Sequence, residues 1–131
     1  MKEIKICDSV FKVDFNSLSY VKYRKVFNRG IFQDLKLLED FIAKQVVIEQ
    51  RILSESPNIT EEELSKLLSR YMIDDIDNFI EAITRIAYIG ILCGNDGFNL
   101  SYENWLKKVP RINTNDSWIV EVTELAVSSF C

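Results

Sequence analysis

Apolar and polar residues alternate along the first fifteen positions of the chain. The stretches "KEIKI" and "FKVDF" each follow a period of two, and Asp8 and Ser9 between them favour a turn. This pattern predicts a β-hairpin over residues 1–15, with an inward face made of Ile4, Ile6, Phe11, Val13 and Phe15. Because an isolated hairpin is only marginally stable, we expect it to pack on helices or to pair with another chain. Its unpaired edge is a candidate surface for self-association.

After the hairpin, apolar residues recur with the spacing of helices. A first helix is expected to begin at Asn16 or Ser17 and to stop at Gly30. A longer helix is expected from Ile31 to Ser54, since apolar residues recur along it at helical intervals. Pro57 follows in "SESPN" and cannot continue a helix.

Two further helices are predicted in the middle of the chain. Thr60 and Glu63 in "TEEE" have the spacing of a capping box, so a third helix begins there. A separate helix is expected in "DDIDNFIEAITRIAYIGILCG", and its second half is apolar nearly all round, which is typical of a central helix. Gly90 indicates a close crossing with another helix, because a glycine at such a position costs about 1 kcal/mol relative to alanine.

The last thirty residues carry both tryptophans of the chain. "SYENWLKKV" predicts a short helix capped by Ser101, and "SWIVEVTELAVSSF" predicts a final helix that begins at Asn115 or Asp116. Trp118 is expected in the core, whereas Trp105 is either a second core residue or a partly exposed anchor for a partner. The candidate partner-binding residues are Tyr102, Trp105, Ile119 and Phe130.

Together these patterns predict a mainly α fold, a compact helical domain of about five to six helices with a short N-terminal β-hairpin. At 131 residues the chain is expected to be a single domain, with the hairpin in residues 1–15 and the helices in residues 16–131. No stretch approaches the roughly 18 apolar residues of a membrane span. The N-terminus lacks the apolar segment of a secretory signal, so we expect a cytosolic protein.

The composition argues against most enzymatic chemistry. The chain has no histidine, which removes histidine-based nucleophilic and general-base catalysis and histidine metal ligands. Its three cysteines are far apart and form no CxxC pair, so neither a disulfide framework nor a zinc site is expected. Asp74, Asp75 and Asp77 lack the glycine and glutamate of a calcium loop, and we expect them to cap a helix. We therefore predict a non-enzymatic protein without a metal or cofactor.

Charge is distributed unevenly along the chain. Residues 1–30 carry seven basic and three acidic residues, for a charge of +4, so the remainder carries −8 of the total of −4. This asymmetry indicates either an internal attraction that docks the N-terminal segment or an oriented partner surface. The alternative function is a nucleic-acid-binding regulator that uses the basic residues Lys22, Arg24, Lys25 and Arg29.

The order of these segments resembles the tail assembly chaperones of long-tailed bacteriophages that infect Gram-positive hosts. The resemblance rests on the "KEIKI…FKVDF" hairpin, the "TEEEL" helix, the long apolar helix, "SYENWLKKV" and the closing "WIVEVTELAVSSF". It implies a protein of the host cytoplasm, absent from the mature virion, that binds the long helical tape measure protein and keeps it soluble. It also implies self-association, a longer frameshifted form in many members, and the tail tube protein as a further partner.

Overall fold

The computed structural model of the chain describes residues 1–114 and 116–130. These residues form a two-stranded sheet followed by five helices. The elements are β1 (Lys2–Ile6), β2 (Ser9–Val13), α1 (Ser17–Phe27), α2 (Ile31–Glu55), α3 (Glu61–Gly94), α4 (Tyr102–Leu106) and α5 (Ser117–Phe130). The predicted mainly α fold with an N-terminal hairpin is confirmed.

The hairpin has the inward face that the alternation predicts. β1 and β2 are antiparallel, with Ile4 opposite Phe11. The turn between them consists of Cys7 and Asp8, and Cys7 has a φ of 56°. Four of the five predicted inward side chains are buried, and the fifth, that of Phe11, is partly buried. The hairpin therefore contributes one apolar face to the core.

The first two helices begin as predicted, but α1 ends earlier than expected. The side chain of Asn16 caps α1 by accepting a hydrogen bond from the backbone N–H of Leu18 at 3.0 Å. α1 ends at Asn28, whose φ of 53° lies in the left-handed region that asparagine tolerates. The predicted stop at Gly30 is wrong, and Gly30 is instead the residue that precedes α2.

The two central helices predicted separately are one continuous helix of 34 residues, α3. Thr60 caps it as expected, accepting a hydrogen bond from the N–H of Glu63 at 3.2 Å. The predicted second start at Asp74–Asp77 is wrong, because neither glycine nor proline interrupts the chain there and aspartate alone disfavours helix only weakly. Within the helix, Asp75 forms an ion pair with Lys44 of α2 at 2.5 Å.

The second half of α3 is the centre of the core. Ile83, Ile86, Ile89 and Ile91 have no exposed surface, and every other element contributes to the apolar cluster around them. Gly90 faces the hairpin, since a Cβ atom there would lie 2.6 Å from Cγ1 of Val13. The predicted helix–helix crossing at Gly90 is therefore wrong. A β-strand makes the close approach, and the N–H of Asp14 donates to the carbonyl of Gly90 at 3.0 Å.

A buried carboxylate joins the first three helices. Asp34 of α2 has no exposed side-chain surface, and both of its oxygens accept hydrogen bonds from Arg85 of α3 at 2.9 Å. Arg29 pairs with the same carboxylate at 2.8 Å, and the hydroxyl of Tyr23 donates to it. Burial and the neighbouring Asp34 both raise the pKa of Tyr23 far above its usual range. Sequence analysis missed this cluster, which holds α1 and α2 against α3.

Candidate binding surface

The four residues predicted to bind a partner lie in two different parts of the molecule. Trp105 is fully buried, with 0% of its surface exposed, and packs against Tyr88 at a ring distance of 5.9 Å. The alternative of a partly exposed anchor is therefore wrong, because α4 folds its indole onto the central helix. Tyr102 and Phe130 are partly buried, and Ile119 is buried.

Tyr102 makes internal contacts of its own. Its hydroxyl shares a hydrogen bond of 2.7 Å with Oγ1 of Thr84, and its ring lies edge-on to Phe27 at 4.9 Å. Burial raises the pKa of Tyr102, and the bond to Thr84 opposes that increase only in part. Tyr102 and Trp105 therefore fix α4 to the body of the protein and do not form a surface with Ile119 and Phe130.

Phe130, by contrast, is part of an aromatic cluster at the surface. It lies 4.9 Å from Tyr20 of α1 and 5.9 Å from Phe32 of α2, measured between ring centres. Tyr20 and Phe32 are 5.6 Å apart, and 40% and 49% of their surfaces are exposed. The buried ring of Phe15 packs against Phe130, with 5.9 Å between the two ring centres. Three separate elements thus present a large aromatic surface to solvent.

An apolar groove lies between the middle of α2 and the first half of α5. It has a volume of about 450 Å³, and Ile119 lies in its wall. Exposed aliphatic side chains stand on both of its sides, Ile42 on α2 with 43% of its surface exposed and Val120 on α5 with 53%. Buried Phe79 of α3 also lines it. The groove can accept apolar side chains from outside the molecule.

The aromatic cluster and the groove lie along the same pair of helices. α2 and α5 run antiparallel, since Phe32 at the start of α2 contacts Phe130 at the end of α5. Ile42 in the middle of α2 lines the same groove as Ile119 near the start of α5. We call the surface formed by Tyr20, Phe32, Ile42, Val120 and Phe130 the apolar seam. Phe32 and Ile42 are ten residues apart on α2, which corresponds to about 15 Å along the helix.

The free carboxylates beside the apolar seam lie toward its groove end. Glu124 of α5 lines the groove, and exposed Glu39 precedes Ile42 by three residues on the same side of α2. Neither carboxylate forms an ion pair with any residue that the structure describes. α5 contains no lysine or arginine at all. The groove end of the seam is therefore edged by two unpaired carboxylates, whereas exposed Lys36 stands one turn from Phe32 at the aromatic end.

Of the basic residues of α1, Arg24 lies one turn from Tyr20 on the same side of the helix, whereas Lys22 and Lys25 lie on other sides. Arg24 and Lys25 are exposed and Lys22 is partly exposed, but the guanidinium of Arg29 is held by buried Asp34. Exposed aliphatic side chains stand among these cations, namely those of Leu18, Val21 and Val26. Three of the four basic residues considered for nucleic-acid binding thus remain accessible.

Neither a metal-binding cluster nor a membrane-spanning helix is found among the described residues. Within residues 1–114 and 116–130, no group of three Cys, Asp or Glu side chains is arranged to hold a metal ion. Over the same residues, no helix combines the length and the apolar composition needed to traverse a bilayer. Cys7 and Cys93 are free thiols, and Cys131 lies outside the described residues.

Comparisons with protein-family models, with curated proteins and with solved structures give no significant match.

Phe130 is the one residue of the apolar seam that was predicted as a candidate site; Ile119 was also predicted, but it is buried in the wall of the groove. Tyr20 and Tyr23 are three residues apart on α1, yet only Tyr23 is fully buried. Phe32 lies outside the stripe of apolar residues that faces the core from α2. A large aromatic residue outside such a stripe was the available signal, because uncovered apolar patches often mark interaction sites.

Proposed function

We propose that this chain is a non-enzymatic assembly chaperone that binds a long helical protein and keeps it soluble. The resemblance described above identifies that client as the tape measure protein of a long-tailed bacteriophage, bound in the host cytoplasm during tail assembly. The observation that carries the proposal is the uncovered apolar seam, which joins an aromatic cluster to an apolar groove on two adjacent helices.

The shape of the seam supports a helical client. Amphipathic helices bind by placing side chains from one face into an apolar groove on a partner. The seam runs along α2, and the rise of about 15 Å from Phe32 to Ile42 corresponds to about three turns of a bound helix. The net charge of −4 helps to keep a complex with an apolar client soluble.

The further partners in this proposal rest on the resemblance. Such a chaperone associates with itself and, in its longer form, recruits the tail tube protein. For self-association the chain also offers the hairpin, whose two strands pair only with each other among the described elements.

Co-expression with a long coiled-coil protein of the tape measure type tests the proposal. We expect the client to be soluble only with the chaperone and to be retained when the chaperone is captured. The variant Phe32→Ser with Val120→Ser should weaken that binding at least ten-fold, since central apolar anchors dominate interface energies.

The control is Tyr71→Ser, which removes a side chain of α3 that is 60% exposed and outside the seam. This control should bind the client as the parent chain does. No complex with the parent chain, or equal loss with Tyr71→Ser, would contradict the proposal.

A nucleic-acid-binding regulator is the second candidate function. Its support is α1, which carries Lys22, Arg24 and Lys25 and contains no acidic residue. The exposed aliphatic side chains among these cations fit a protein surface better than a phosphate backbone, which is contacted mainly by cations and hydrogen-bond donors. The chaperone function is therefore the one we favour.

A further inference from the structure

We propose that the helix bound by the apolar seam carries two apolar side chains ten or eleven residues apart, with lysine or arginine on the turns between them. This inference rests on the proposed function and specifies the chemistry of the client segment. It commits the seam to one occupant, a basic amphipathic helix.

The spacing of the two apolar side chains follows from the two ends of the seam. One end is the aromatic cluster at Phe32, and the other is the groove beside Ile42, about 15 Å further along α2. A helix lying along α2 returns to the same face every 3.6 residues, so three turns correspond to about eleven residues. Side chains at positions i and i+11 would therefore reach both ends together.

The basic character of the client follows from the carboxylates at the seam. Glu39 lies between the positions of Phe32 and Ile42 on α2, and Glu124 lines the groove on α5. Lys36 lies one turn from Glu39 but forms no ion pair with it among the described residues. A docked helix shields these carboxylates from water, which makes a cation opposite them favourable and an anion unfavourable.

Three synthetic helical peptides of eighteen residues test the inference on the full chain. The first has leucine at positions i and i+11 with two lysines on the intervening turns, the second replaces the lysines by glutamate, and the third replaces one leucine by serine. Fluorescence anisotropy measures the affinity of each peptide. We expect the lysine peptide to bind at least ten-fold more tightly than either of the other two, with a preference over glutamate that shrinks as salt is added.

Charge reversal on the protein provides the decisive comparison. In Glu39→Lys with Glu124→Lys, the glutamate peptide should bind more tightly than the lysine peptide. The matched control is Asp74→Lys with Asp77→Lys, which changes the net charge equally on the exposed face of α3. This control should bind the lysine peptide more tightly than the glutamate peptide, as the parent chain does. Circular dichroism tests whether both variants are folded.

Each result supports or overturns the inference separately from the proposed function. If no peptide binds, or if the control variant also reverses the order, the inference is wrong. If the coiled-coil client is captured but is insensitive to Glu39→Lys with Glu124→Lys, the chaperone function stands and the basic preference fails. If sedimentation shows that a second copy covers the seam, because Phe32→Ser with Val120→Ser dissociates a dimer, the assignment of a helical client is overturned.

Discussion

At the scale of single residues, the most important contacts are those that the buried carboxylate of Asp34 makes with its partners. A carboxylate without exposed surface is stable only when it is paired, and Asp34 has Arg85, Arg29 and the hydroxyl of Tyr23 as partners. The pKa of Arg85 is raised because its bonds to Asp34 and the charge of Asp34 outweigh the opposing effect of burial. The cluster joins α1 to α2, the two helices that bring Tyr20 and Phe32 together.

Replacement of Asp34 tests how much stability this cluster provides. Asp34→Ala leaves two guanidinium groups and a hydroxyl near an empty position, and we expect the free energy of unfolding to fall by about 3–5 kcal/mol. Urea denaturation followed by circular dichroism measures the change.

Asp40→Ala is the control, since Asp40 is an exposed carboxylate on the same helix and forms no ion pair with the described residues. It should change stability by less than about 0.5 kcal/mol. A similar small effect for Asp34→Ala would show that the cluster contributes little.

The sequence predicted which residues are apolar and internal much better than how polar residues pair. Trp118 and the inward residues of the hairpin follow from local periodicity, which is visible in a short window. Asp34 and Arg85 are 51 residues apart, and nothing near either residue indicates the other. The pairing is a product of the tertiary fold.

At the scale of elements, the close contact between the hairpin and α3 depends on glycine. A Cβ atom at Gly94 would lie 2.4 Å from the backbone oxygen of Lys12. The side-chain amide of Asn95 donates a hydrogen bond to the same oxygen at 2.8 Å. A Cβ atom at Gly90, one turn earlier, would likewise lie too close to the hairpin, in this case to the side chain of Val13. The sequence indicated a close approach at Gly90, but it could not show that the approaching element is a strand.

Gly94→Ala is expected to displace β2 from α3. The added methyl group meets backbone rather than a flexible side chain, so we expect a loss of about 1–3 kcal/mol in the free energy of unfolding, as for other overpacked sites. Amide hydrogen exchange should also become faster in the hairpin.

Ser69→Ala, at an exposed position of the same helix, is the control and should be neutral or slightly stabilising. Unchanged exchange in the hairpin of Gly94→Ala would mean that β2 does not depend on this contact.

The sequence patterns predicted helix N-caps correctly, but they did not predict that two helical segments form one continuous helix. Asn16, Thr60 and Ser101 cap helices as predicted, because each cap is a local hydrogen bond between a side chain and a nearby N–H. The break predicted before Asp74 does not occur, since α3 packs against α2 and these tertiary contacts outweigh a weak local preference.

At the scale of the whole molecule, the candidate site could not be predicted from any one segment. Tyr20, Phe32 and Phe130 lie on three different helices, and only the packing of α1 and α5 against α2 places their rings together. Sequence analysis identified Phe130 because apolar residues crowd the last helix. It missed Phe32 because exposure depends on which neighbouring elements leave a side chain uncovered.

Burial is distributed unevenly over the molecule, and this should be visible as uneven stability. Ile52 is the one buried residue in the stretch 46–71, all of which the structure describes, whereas nearly every residue from 82 to 91 is buried. Regions with few buried contacts open at lower free energy than the core. The paired ends of α2 and α3 on either side of Pro57 therefore form an arm that is less stable than the body carrying the apolar seam.

Hydrogen exchange along α3 tests this difference in local stability within a single helix. Amides of residues 65–71 should exchange at least ten-fold faster than those of residues 83–91, even though both sets form continuous helical hydrogen bonds. The second half of α3 serves as the internal control, because the two halves share one helix and one solvent condition. Equal protection in both halves would mean that the molecule opens only as a whole. In that case the arm would be as stable as the body, despite its sparse burial.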